Sequence, residues 1–66
     1  MFRIVAPRED GGLNVLTRGF GGPNFMIHEK YNPTPVDYKS RGGAKSALSS
    51  YIRYKRVPDN SFIQEL

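Results

Sequence analysis

Hydrophobic residues recur with a period of two through the first part of this chain. Phe2 and Ile4 alternate with Arg3, and Leu13, Val15 and Thr17 alternate with Asn14 and Leu16. Between the two runs lies Asp10-Gly11, the strongest hairpin signal in the sequence. The pattern predicts an antiparallel hairpin with strands over about 2–6 and 13–17. A third alternation sets Phe25, Ile27, Glu29 and Tyr31 against Met26, His28 and Lys30, which predicts another strand over 25–31. Gly19, Gly21, Gly22 and Pro23 make a loop before it, and Pro33 and Pro35 stop it. Residues 36–39 read as a short extended piece that the prolines confine to an edge or a loop.

The period then changes. Ala44, Ala47, Leu48, Tyr51 and Ile52 follow the spacing of one helical face, which predicts a helix over about 41–56. Ser40 is placed to cap its start. Gly42 and Gly43 weaken the first turn by roughly 1 kcal/mol each relative to alanine. Lys55 and Arg56 fall in the expected last turn, where cations suit the helix dipole, and Pro58 ends the element. Residues 61–66 read as a final short strand, with Phe62, Ile63 and Leu66 reaching the core. The expected fold is α+β, a small antiparallel sheet packed against one helix in the C-terminal half. Residues 1–66 are expected to form a single small domain.

Size limits what such a fold can hold. A domain of this length buries only about 60% of the surface its unfolded chain exposes. The 66 residues contain no cysteine, so no disulfide staples the fold, and one histidine cannot supply an ordinary zinc site. No cofactor is expected. A core this thin makes self-association an expectation as well. No apolar run approaches the roughly 20 residues of a membrane helix. The Met1 terminus lacks an apolar signal core and reads as an initiator entering a strand, so a complete, cytoplasmic protein is expected.

Charge changes the picture more than composition does. Lys39, Arg41, Lys45, Arg53, Lys55 and Arg56 are six of the ten basic residues, and no acidic residue lies among them. Arg41, Lys45, Arg53 and Arg56 are expected along one side of the helix, beside its apolar face. Tyr38, Tyr51 and Tyr54 interleave with them, as aromatics that stack on bases do. The bland reading is a solvated helix face. Arg41-Gly42-Gly43-Ala44-Lys45-Ser46 has the look of a phosphate loop, but Ala44 precedes the lysine and Tyr38 stands where the first glycine is needed. Nucleotide hydrolysis is therefore excluded. Phe20, an aromatic among glycines, is either a core plug or an interface anchor. His28 and Glu29 are adjacent on an expected strand, so they face opposite sides and cannot work as an acid–base pair.

The stretch from Tyr38 to Leu48 (YKSRGGAKSAL) resembles a strand-to-helix junction of small uncharacterised bacteriophage proteins. The resemblance implies an accessory factor that binds a host macromolecule, acting in the host cytoplasm. Taken with the charge pattern, the first expectation is a non-enzymatic adaptor or inhibitor that docks on an acidic surface of a partner. Its site residues would be Arg41, Lys45, Arg53, Tyr54, Arg56 and Phe20. A direct nucleic-acid binder using the same face is the alternative. A structural subunit of a larger assembly is the third.

Overall fold

The computed structural model describes residues 1–19, 21 and 24–66. The elements in chain order are β1 (Phe2–Pro7), β2 (Leu13–Thr17), β3 (Phe25–His28), a one-turn 3-10 helix (Glu29–Tyr31), α1 (Arg41–Arg53) and β4 (Phe62–Glu65). The strands form one antiparallel sheet in the order β3-β2-β1-β4. The α+β architecture is the one expected from the sequence.

The β1–β2 hairpin closes through residues 8–12. Gly11 donates to the Arg8 carbonyl at 3.1 Å, and Arg8 donates to the Gly12 carbonyl at 2.8 Å. Gly11 has φ +89°, a left-handed conformation that only glycine adopts without steric cost. Gly12 is needed for a different reason. A Cβ there would stand 3.0 Å from the His28 ring, so the glycine lets the imidazole lie against the turn.

Side-chain alternation assigns each sheet residue to a face. One face carries Ile4, Leu16, Met26 and Ile63, and α1 packs on it over β1 and β4. Ile4 and Leu16 are fully buried and join Val36 and Val57 in the core, with Ala47, Leu48, Tyr51 and Ile52 packed against them. Ala44 is the one fully buried helix residue, because its small side chain sets the closest approach to the sheet.

Two sequence expectations are corrected in detail and one is refined. The third strand stops at His28, where the ring Nδ1 accepts the Lys30 N–H and starts the 3-10 turn. Residues 35–38 form no strand, as the loop reading expects, but this loop is tied between β1 and β2. Val36 donates to the Leu16 carbonyl at 3.0 Å, and Phe2 and Tyr38 exchange two backbone bonds of 2.9 and 2.8 Å. The loop takes up the backbone groups left where β1 and β2 part beyond the Val5–Val15 pair. Lastly, Phe62 and Leu66 do not reach the core. They are 43% and 60% exposed, because β4 is an edge strand and its register turns them to the side away from α1.

Candidate functional site

α1 starts where the sequence places it. Ser40 is extended (φ −130°, ψ 151°), and its Oγ accepts the Gly43 N–H at 3.0 Å. The helix ends earlier than expected, at Arg53 rather than near 56. Lys55 turns left-handed with φ 56°. Its N–H donates to the Ile52 carbonyl at 3.0 Å, and the Arg56 N–H donates to the Tyr51 carbonyl at 2.8 Å. These two bonds are a Schellman termination, with lysine in the position usually held by glycine.

That ending builds the surface. Ile52 packs against the core and Val57 is buried in it, so the chain is anchored on both sides of residues 53–56. Arg53, Tyr54, Lys55 and Arg56 are consecutive, and all four are exposed. The Tyr54 side chain is 69% exposed, one of the barest aromatics described. None of the three cations makes an ion pair among the described residues. They sit at the negative end of the helix dipole, which makes their clustering tolerable to the fold. Tyr54 and Arg56 thus belong to a cationic turn and not to a helical stripe.

The other site residues divide. Lys45 is exposed on the helix and, among the described residues, has no ion pair. Arg41, by contrast, is drawn to the sheet. Its Nη2 lies 3.6 Å from Glu65 Oε2, and its guanidinium sits 5.2 Å from the centre of the Phe2 ring. A guanidinium shared between a carboxylate and an aromatic face has less to offer a ligand. Phe20 lies outside the described residues. Lys55, not among the expected site residues, stands exposed in the same turn; the run Arg53-Tyr54-Lys55-Arg56 is plain in the sequence, and what the sequence hides is the turn that exposes all four.

Two polar clusters brace the fold elsewhere. Asn24 Nδ2 donates to the Tyr51 hydroxyl at 3.0 Å, joining the segment before β3 to the helix. Beside Tyr51, the Tyr38 phenol is pushed above its ordinary pKa, chiefly by burial and then by Tyr51 itself. At the hairpin end, the Asp10 carboxylate accepts the Gly12 N–H at 2.9 Å and lies 3.4 Å from both Arg8 Nε and His28 Nε2. Its pKa is lowered, first by the Gly12 N–H and then by His28 and Arg8. Since His28 Nδ1 accepts the Lys30 N–H, the neutral ring carries its proton on Nε2 and donates it to Asp10. Both ring nitrogens are thereby engaged in structure.

No protein-family model matches the chain, and neither curated proteins nor solved structures give a match. Among the described residues, no helix is long and apolar enough to cross a membrane.

Proposed function

We propose that this protein is a small non-enzymatic binding module that docks on an acidic surface of a partner macromolecule through the cationic turn at the end of α1. The observation that carries the reading is the run of four exposed residues, Arg53 to Arg56, held between two core anchors and without ion pairs among the described residues. Lys45, on the same helix, extends the surface. Three cations around one bare tyrosine combine electrostatic steering with an amphipathic anchor, and both Tyr and Arg are enriched at binding hot spots. The engagement of both His28 nitrogens fits a structural role for that residue better than a general base, which needs a free nitrogen at the substrate. The resemblance around residues 38–48 supports an accessory factor that acts on a host macromolecule.

Exposed Tyr54 beside Arg53 and Arg56 also favours a second reading, in which the ring stacks on a nucleic-acid base and the cations meet phosphates. One experiment separates the two. The immobilised protein is exposed to nuclease-treated bacterial lysate beside an Arg53→Glu/Arg56→Glu variant, and plain DNA and RNA are titrated over a range of salt. A protein captured stoichiometrically by the wild type and lost with the variant supports docking on protein. Tight nucleic-acid binding that falls steeply with salt moves the reading to the second class. Absence of both contradicts the proposal.

A further inference from the structure

The one histidine of the chain sits where two turns meet. His28 is the last residue of β3, and its side chain is 14% exposed. Its Nδ1 accepts the Lys30 N–H at 3.1 Å, and its Nε2 lies 3.4 Å from Asp10 Oδ2 in the β1–β2 turn. The first of these bonds caps the 3-10 helix of Glu29–Tyr31. Packing does little to hold that helix, since none of its three residues is buried. Its far end closes on Asn32, which is left-handed (φ 49°) and donates its N–H to the Glu29 carbonyl at 3.0 Å. Gly12 seats the ring against the hairpin turn, where a Cβ would meet Cε1 at 3.0 Å.

The two imidazole bonds make different demands on a proton. The Lys30 N–H needs a bare lone pair on Nδ1, which only the neutral ring offers. The Asp10 carboxylate accepts the Nε2 hydrogen in either state, and more strongly from an imidazolium. The other groups around the ring divide in sign. From the β1–β2 turn, Arg8 Nε lies 3.4 Å from the same Asp10 oxygen and opposes a further positive charge. From β2, the cross-strand partner Asn14 is uncharged, and its Oδ1 accepts Arg8 Nη1 at 3.1 Å. From the 3-10 helix, the Tyr31 ring stands edge-on to His28 with centres 6.4 Å apart, and Lys30 Nζ lies 5.1 Å from the centre of the Tyr31 ring. Glu29, next in the chain, is exposed and carries the opposite charge to Lys30. The Gly12 N–H, with His28 and Arg8, holds the Asp10 carboxyl below its ordinary pKa. Asp10 is therefore still an anion at the pH where an imidazole takes up its proton.

We propose that His28 is a proton-operated latch on the 3-10 helix: the neutral ring holds residues 29–31 closed through Nδ1, and the protonated ring keeps Asp10 but releases the Lys30 N–H, so that those residues open. The step moves one proton from water to Nδ1 and breaks one hydrogen bond. No other group changes its charge. The part that opens carries Lys30 and Tyr31, the latter 68% exposed. Mild acid thus alters a surface built from residues other than those of the cationic turn.

Nitrogen-15 NMR of the full chain between about pH 8 and pH 5 tests the latch, since an imidazole titrates within that range. At the upper pH the His28 ring is expected to carry its proton on Nε2, with Nδ1 bare. Through the titration the Lys30 amide is expected to lose protection from hydrogen exchange about fivefold, the factor that one ordinary hydrogen bond supplies, after correction for the intrinsic rate. Amides of the β1–β2 pairing are expected to keep their protection, which separates the latch from a general loosening in acid. His28→Asn supplies a capping oxygen that does not titrate, so its Lys30 protection is expected to stay constant. Asp10→Asn removes the anion beside the imidazolium, so opening is expected to need a lower pH than in the wild type. A ring protonated on Nδ1 at the upper pH, or a Lys30 amide equally protected at both ends, would overturn the proposal. Those two readings need only the wild type, so they decide the matter even if a variant fails to fold. A folded His28→Asn protein that opens in acid like the wild type would overturn it as well, as would an Asp10→Asn protein that opens at the wild-type pH.

Discussion

Lys55 holds a conformation that costs a side chain energy. At φ 56° its Cβ crowds the carbonyl that follows, a cost of roughly 1–2 kcal/mol for an L-residue. Glycine would remove the strain and complete the same Schellman bonds. Lys55→Gly is therefore expected to stabilise the fold by about 1 kcal/mol in urea titrations while removing one cation of the turn; a destabilised variant would show that the lysine stem makes packing contacts that outweigh the strain. Stability traded for charge at this position is what a binding turn would show.

Tyr38 gives a second test at this scale, through its proton. Burial pushes the folded phenol above its ordinary pKa of 10.0, with Tyr51 adding to the shift and Arg18 opposing it. The folded state then holds the proton more tightly than the unfolded chain. Its contribution is complete below the unfolded value and is lost as pH rises from there through the folded value. Urea midpoints should fall as pH climbs above about 10, and Tyr38→Phe should flatten that part of the profile. A wild type and variant with the same alkaline slope would place the cause elsewhere.

Among the elements, α1 closes one face of the core. Leu48 packs against the core cluster of Ile4, Leu16, Val36 and Val57 but is only half-buried, so Leu48→Ala belongs near the low end of core truncations, about 2 kcal/mol. In so small a domain that is a large share of the total, and circular dichroism melting should show it plainly. An unchanged melt would mean that the helix face is not the core. The strands and the helix were legible because period two and period 3.6 are written in residues such as Leu13, Val15 and Thr17, or Ala44, Leu48 and Tyr51. The helix end was not, because a left-handed lysine leaves none of the glycine signature that marks such a turn. Nor were the ties of the loop at 35–38, since proline usually signals a loop or an edge, and here the hydrogen bonds come from Val36 and Tyr38 instead. In β4, apolar Phe62 and Leu66 suggested core, and only the pairing with Val5 and Met1 shows which face they take.

At the scale of the whole molecule, two sides differ in kind. The helix side ends in a cationic turn, and the far side of the sheet buries Val5 and Val15 while leaving Phe25 and Phe62 partly bare. The sequence placed the positive charge near the helix, but it weighted Arg41 and Arg53 alike. The structure separates them, because Glu65 and Phe2 occupy Arg41 while Arg53, Lys55 and Arg56 stand open. The direct measurement of the central claim compares charge reversals at these two places in one binding assay with confirmed folding. Arg53→Glu/Arg56→Glu is expected to abolish capture of the acidic partner, mainly by slowing association. Arg41→Glu is expected to leave capture within a few-fold of wild type. Equal losses from both variants, or normal capture by the Arg53→Glu/Arg56→Glu protein, would contradict the assignment of docking to the cationic turn.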